Sequence, residues 1–151
     1  MFRGANKVTL DAKGRMAMPA RYRDTLVERS EGRLVATVDR ADRCLLIYPL
    51  PDWEEIERKL MRLPTLNPQA RRLQRLMVGH ATDLELDSHG RVLVPPKLRE
   101  YAGLTRQAML IGQGSRFELW DEQHWNERRD AWLQAGEETG QLSSEREQLS
   151  L

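Results

Sequence analysis

Residues 8–26 read VTLDAKGRMAMPARYRDTL, and residues 84–102 read LELDSHGRVLVPPKLREYA. Set 76 positions apart, these stretches share six of nineteen residues. The identities are Leu10 with Leu86, Asp11 with Asp87, Gly14 with Gly90, Arg15 with Arg91, Pro19 with Pro95 and Arg23 with Arg99. Unrelated segments would agree at about one position in nineteen, so the chain carries a duplication. Each copy has the same grammar. An alternating strand (Lys7 to Leu10, Leu84 to Leu86) enters a four-residue Asp-x-x-Gly turn, and a second strand opens with arginine. Asp at the first and Gly at the last turn position favour a type I turn. Pro19 and Pro95 end the second strands. Short helices are predicted from Ala20 to about Val27 and from Pro96 to Ala102, with Gly103 as a C-terminal cap.

The likeness continues at an offset of 72 through Leu45 and Phe117, Ile47 and Leu119, Tyr48 and Trp120, and Trp53 and Trp125. The slip from 76 to 72 places four extra residues in a loop of the first copy, near Ser30-Glu31-Gly32. Two β-like runs close each copy: Arg33–Val38 and Cys44–Tyr48, then Ala108–Ile111 and Arg116–Trp120. Between the copies the pattern turns helical. Asp52 with Glu55 makes a capping-box arrangement, and Trp53, Ile56 and Leu60 fall on one face. Asn67-Pro68 opens a second helix, apolar at Leu73, Leu76 and Met77 and basic at Arg71, Arg72 and Arg75, which Gly79 stops. Asp121 is placed to cap a helix with Trp125 and Trp132 on one face. From Gly136 onward the chain is acidic and polar, compatible with a helix or a mobile tail. The division expected is a first module at 5–52, connecting helices at 53–80, a second module at 81–124, and a C-terminal helix with acidic tail at 125–151.

With 151 residues, each half alone holds a core of marginal size, so the halves should share one or find partners in other chains. The single cysteine, Cys44, excludes an internal disulfide framework and fits a reducing cytosol. The N-terminus lacks the apolar stretch of a secretory signal, and the longest apolar run, Cys44 to Tyr48, is too short to span a bilayer. A cytoplasmic protein without membrane contact is expected. The net charge of +1 hides an uneven distribution. Residues 1–26 carry six basic against two acidic groups, and residues 53–76 six against three. Residues 117–151 carry nine acidic against three basic groups. Such polarity suits an anionic partner at one end, or a pair of ordinary solvated faces.

The chemistry concentrates at the two turns. Asp11, Gly14, Asp87 and Gly90 read as structural turn residues. Arg15 and Arg91 admit two readings: a partner for the turn aspartate, or a fork aimed at phosphate or at guanine O6 and N7. Lys13 adds a phosphate-seeking charge; His89, at the matching position, does not bring the permanent ammonium of a lysine. The first turn should therefore be the stronger contact. A duplicated aspartate could also form an acid–base dyad, but an arginine four residues on would hold each one ionised. His80, His89, His124 and Cys44 show no metal-ligand spacing, and Gly112-Gln-Gly114 is no phosphate loop. No catalytic residue, metal or cofactor is therefore assigned. Cys44 reads as a small core residue, and the tryptophans as core or interface anchors.

Four motifs in order carry a resemblance over nearly the whole chain, weakening after about Trp125. They are MFRGxxxVxLDxKGRxxxPxRYR, CLLIYPLPDWExIExKL, NPxxRRxQRLxxGHA and DxxGRxLxPxxLRxYAGL. In them the chain resembles the MraZ family. The resemblance implies an α+β fold, mainly β with flanking helices: a tandem, pseudo-two-fold swapped-hairpin β-barrel of the AbrB/SpoVT type, with C-terminal helices. It further implies a ring-shaped homo-oligomer that binds double-stranded DNA at G-containing direct repeats upstream of the division and cell-wall gene cluster. Repression of its own promoter and nucleoid association follow from it, with no small-molecule substrate. Carried over by motif, the DNA-contacting residues are Lys13 and Arg15, with Arg91 in support and Arg3 and Lys7 as weaker additions. His89 departs from the basic pattern of the first turn. Two rivals stand beside this reading: a protein-capturing module that uses the acidic tail from Glu137, and a purely structural ring.

Overall fold

The computed structural model describes residues 1–135 and 141–150. The first copy forms β1 (Phe2–Thr9), β2 (Arg15–Ala17), α1 (Ala20–Ser30), β3 (Arg33–Val38) and β4 (Leu45–Pro49). Two helices come next, α2 (Leu50–Met61) and α3 (Pro68–Met77). The second copy repeats the order as β5 (Thr82–Glu85), β6 (Arg91–Leu93), α4 (Pro96–Tyr101), β7 (Gln107–Gly114) and β8 (Arg116–Asp121). After it come α5 (Glu122–Ala135) and α6 (Gln141–Gln148).

Neither hairpin pairs with the closing strands of its own copy. β1 lies antiparallel to β7, and β5 antiparallel to β3. The result is a six-stranded sheet in the order β1-β7-β8-β4-β3-β5, beside a two-stranded ribbon in which β2 pairs with β6. The hairpins are thus exchanged between the copies inside one chain. This exchange answers the size problem, because the copies share a single core. Met16, Met18, Val92 and Val94 from the ribbon pack against Leu34, Leu45, Ile47, Leu110, Phe117 and Leu119 from the sheet. Truncating one of these fully buried side chains to alanine costs about 2–5 kcal/mol.

The other face of the sheet is covered in two places. α2 and α3 close over Val35, Leu46 and Tyr48 with Trp53 and Leu60. Near the opposite edge, Cys44, Ile111 and Trp120 form a smaller cluster against Met109 and Trp125. With both faces covered, every residue of β4 is buried and its sequence, LLIYP, shows no polar alternation.

Several local expectations are corrected. The extra residues of the first copy do not form a loop. They lengthen α1, which runs eleven residues against six in α4. Its end is fixed by Glu31 and Gly32 at φ 56° and 77°, whose N–H groups return to the carbonyls of Val27 and Leu26. The capping box does not form either. β4 passes straight into α2 through Pro49, which offers no side-chain cap, and Asp52 lies inside the first turn, where it pairs with Arg29 at 2.6 Å. β1 starts at Phe2 and not at Lys7, because β7 gives it a partner from Phe2↔Gly114 to Thr9↔Gln107. Trp53, read as a core or interface anchor, is the former: it is only 3% exposed. Asn67 caps α3 as anticipated, accepting from the N–H groups of Gln69 and Ala70, and Asp121 accepts from the N–H of His124 at the start of α5. For the segment from Gly136 onward, α6 is helical, and residues 136–140 lie outside the described residues.

Candidate nucleic-acid interface

Each DxxGR segment is built by its aspartate. Asp11 Oδ1 accepts from the backbone N–H groups of Lys13 and Arg15, both at 2.9 Å, and Oδ2 accepts from Arg15 Nε at 2.8 Å. Asp87 does the same with His89 (2.8 Å), Arg91 N (2.9 Å) and Arg91 Nε (3.1 Å). The N–H of Gly14 closes the turn on the Asp11 carbonyl, and Gly90 on that of Asp87. These bonds hold the Asp11 carboxyl well below its ordinary range, at about 2. The backbone N–H of Arg15 contributes most, partial desolvation opposes, and the Arg15 side chain and Lys13 N–H add to the lowering. Asp87 is lowered likewise, chiefly by the N–H of Arg91.

Gly14 and Gly90 adopt φ of 87° and 74°, a region that favours glycine. They are also crowded. A Cβ on Gly14 would fall 2.6 Å from Arg99 Nε, and one on Gly90 2.6 Å from Arg23 Nε. Each of these arginines donates its Nε to a carbonyl of its own copy, Arg23 to Met18 at 2.7 Å and Arg99 to Val94 at 2.9 Å. The repeat identity of Arg23 and Arg99 is legible in the sequence. Their task, backing the turn of the opposite copy, arises only from the exchange of hairpins.

The ribbon sets the geometry of the two candidate readers. Its register pairs Arg15 with Leu93, Met16 with Val92 and Ala17 with Arg91. Met16 and Val92 point into the core, at 0% and 1% exposure. By strand alternation Arg15, Ala17, Arg91 and Leu93 therefore share the outward face. Arg15 and Arg91 stand two residue levels apart along it, about 7 Å. Their heads are free. Only Nε is spent on the aspartate, and among the described residues neither arginine makes a hydrogen bond through Nη1 or Nη2. The two readings of these arginines are thus compatible: the carboxylate fixes one edge of the guanidinium and leaves the other facing outward.

The remaining candidates are spread more widely. Lys13 is exposed in the first turn and His89 in the second. Lys7 lies four residues before Asp11, about 13 Å back along β1, and is engaged with Glu122 at 3.2 Å. Arg3 is further still, about 26 Å from the turn. The structure does not bring Arg3 to the turns. It brings up residues that the sequence did not single out. Leu10 donates its N–H to the Arg106 carbonyl at 2.8 Å, which sets the exposed Thr105 and Arg106 beside the first turn, in a cleft with Asp11, Ala12 and Arg99. At the second turn Leu86 donates to Gly32 at 2.9 Å, and the matching cleft is lined by Glu31, Asp87, Ser88, His89 and Arg23. No signal in the repeat could have found Arg106, because it lies outside the matched stretches and reaches the turn only through the exchange.

Away from the ribbon, Asp39, Cys44 and Glu118 bring their ligand atoms within 4.8 Å of one another, a grouping that sequence spacing did not reveal. Each is otherwise occupied: the Cys44 thiol faces Asp39 at 3.6 Å, and Trp120 Nε1 donates to Glu118 at 2.9 Å. Burial, then Glu118 and Asp39, push the thiol far above its ordinary range, so it remains protonated core filling. Among the described residues no helix is long and apolar enough to cross a membrane.

A model of the MraZ protein family, whose description adds a likeness to antitoxins, matches residues 1–76 and again 77–141. Relatives called transcriptional regulator MraZ align end to end. One from Halorhodospira halophila is 58% identical over 152 residues, covering 100% of both chains. One from Thioalkalivibrio sulfidiphilus is 60% identical over 151 residues, and one from Pseudomonas aeruginosa 57%, with the same complete coverage.

Proposed function

The chain belongs to the MraZ family, and on that premise we propose that it is a DNA-binding transcriptional regulator, with no catalytic activity, whose β2–β6 ribbon enters the major groove. The observation that carries this reading is the pair of arginines on the outward ribbon face, each clamped through Nε and open at Nη. The major groove of B-form DNA admits a two-stranded ribbon, and a guanidinium donates two parallel hydrogen bonds to guanine O6 and N7. Arg15 and Lys13 form the principal contact, Arg91 supports it, and Arg3 and Lys7 reach at most flanking phosphates.

One such arginine supplies only about 1–3 kcal/mol of discrimination. A homo-oligomer that displays several identical ribbons on repeated sites would raise avidity by roughly 10²–10⁴ without new contacts. A ring acting on G-containing direct repeats upstream of the division and cell-wall cluster, its own promoter included, therefore fits the weak individual contact. Repression and nucleoid association follow from that placement. Trp132 and Leu133, 44% and 74% exposed on α5, offer apolar area for the subunit contact.

Capture of fragmented genomic DNA on the tagged protein, scored for both DNA and protein partners, tests the reading. Enrichment of the segment upstream of its own gene supports it. Enrichment of a protein without DNA would transfer the function to partner capture, and neither would leave a structural assembly. Light scattering at micromolar concentration tests the ring, and a 17.6 kDa monomer would remove it.

A further inference from the structure

We infer that Leu93 is a specificity residue that reads the 5-methyl group of a thymine beside the base contacted by Arg15. The inference rests on the DNA-binding reading above. Leu93 is 51% exposed, in a strand whose neighbours Val92 and Val94 are 1% and 0% exposed. Its place in the register is directly opposite Arg15. Opposed side chains on one face of an antiparallel pair stand about 4.5–5.5 Å apart at Cβ. Successive base pairs stack about 3.4 Å apart, so a ribbon that puts Arg15 on one base edge holds Leu93 over a neighbouring one.

The chemistry is selective. In the major groove thymine alone presents an apolar group, and side chains that recognise it are apolar. A branched aliphatic side chain cannot replace the hydration of a cytosine amino group or a guanine carbonyl, so it discriminates against them as well. The repeat supplies an internal contrast. The residue that matches Leu93 in the first copy is Ala17, which lies opposite Arg91 on the same face and is too short to reach as far. Arginine with leucine thus marks one end of the ribbon, and arginine with alanine the other. This predicts a guanine–thymine preference at the first end and a guanine preference alone at the second.

The test uses the full-length protein and an upstream fragment amplified twice, once with thymidine and once with deoxyuridine throughout. Deoxyuridine keeps every hydrogen-bonding group and removes only the methyl. Wild type should bind the deoxyuridine fragment about fourfold more weakly for each methyl contacted. Leu93→Ala should bind both fragments equally, at the weaker level, with unchanged thermal midpoint and oligomer mass. Indifference of wild type to deoxyuridine, or discrimination that persists in Leu93→Ala, would overturn the inference. A changed oligomer mass would do so too, by making Leu93 a subunit contact. Failure of wild type to retard the thymidine fragment would instead remove the DNA-binding reading, and the inference with it.

Discussion

The two DxxGR turns have the same backbone, the same carboxylate clamp and the same crossed arginine behind the glycine, yet their surroundings differ in charge. The first has Lys13 in the turn and Arg106 beside it, and among the described residues its own Asp11 is the one acidic group lining the cleft. The second has His89 at the matching position and Glu31 in the cleft wall. The difference traces to the segments that leave the two helices. α1 ends in Glu31-Gly32, more than one turn longer than α4, whereas α4 gives way to Gly103 and then Thr105-Arg106. Exchange of hairpins then sets each turn beside the other copy's loop. Duplication fixed the shape of the two turns, and the loops between helix and strand decide which is attractive to phosphate.

The largest effect should separate the two arginines. Arg15→Ala is expected to reduce affinity for the upstream fragment by about 5–150-fold per engaged subunit, the range of one bidentate base contact. Arg91→Ala should cost less. Arg15→Lys should not rescue binding, because one ammonium cannot hold Asp11 and also fork onto a base. Gel-shift titration with a thermal-melting control reads all three. Equal losses from Arg15→Ala and Arg91→Ala would break the comparison, and unfolding of Arg15→Ala would return the residue to a purely structural role.

Legibility in the string depends on how far apart the interacting residues lie. The turns are local, since four residues and their hydrogen bonds define them, so Asp11, Gly14 and Arg15 could be read from the string. The strands and most helices were legible for the same reason, through periodicity and capping residues such as Asn67. The crossing of β1 to β7 and of β5 to β3 is not local: no residue in β1 names its partner a hundred positions on. Hence the backing role of Arg23 and Arg99, and the arrival of Arg106 at the first turn, had to come from the fold. The resemblance implied the exchange but not which side chains it would bring together. The capping box failed for a simpler reason: the Asp52–Glu55 pattern was present, but Pro49 and Pro51 had already begun the helix two residues earlier.

A middle-sized effect should come from the flanking charges. Removing one phosphate contact lowers the slope of log affinity against log salt by about 0.9. Arg106→Ala should do this for each engaged subunit, with little change in sequence preference. Glu31→Ala should move the slope little if the second turn is the minor contact, as proposed, and His89→Lys with Glu31→Ala should raise affinity and steepen the slope. Titrations at about 50 and about 200 mM salt would detect either shift, since one contact changes affinity about fourfold over that interval. An Arg106→Ala slope equal to wild type would mean that the first turn owes its advantage to Lys13 alone.

The smallest effect is the acid response of the two clamps. Asp11 has its folded pKa depressed to about 2, from an ordinary value of 3.8. A depressed carboxylate contributes stability that is fully present above its unfolded pKa and is lost as pH falls through the folded value. The clamp should therefore be complete from neutral pH down to about 4 and fail between about 4 and about 2, so binding near neutrality should show no step from either aspartate. Carboxyl-detected NMR titration should place the Asp11 midpoint near 2 and that of Asp87 below its ordinary value. Arg15→Ala sharpens the test. The largest contribution to the Asp11 shift is the backbone N–H of residue 15, which alanine keeps, while the guanidinium contribution is removed. The Asp11 midpoint in that variant should thus rise only part of the way toward 3.8. A complete return would mean that the side chain builds the turn, and Arg15 could then not be spared to read DNA without dismantling the loop that presents it.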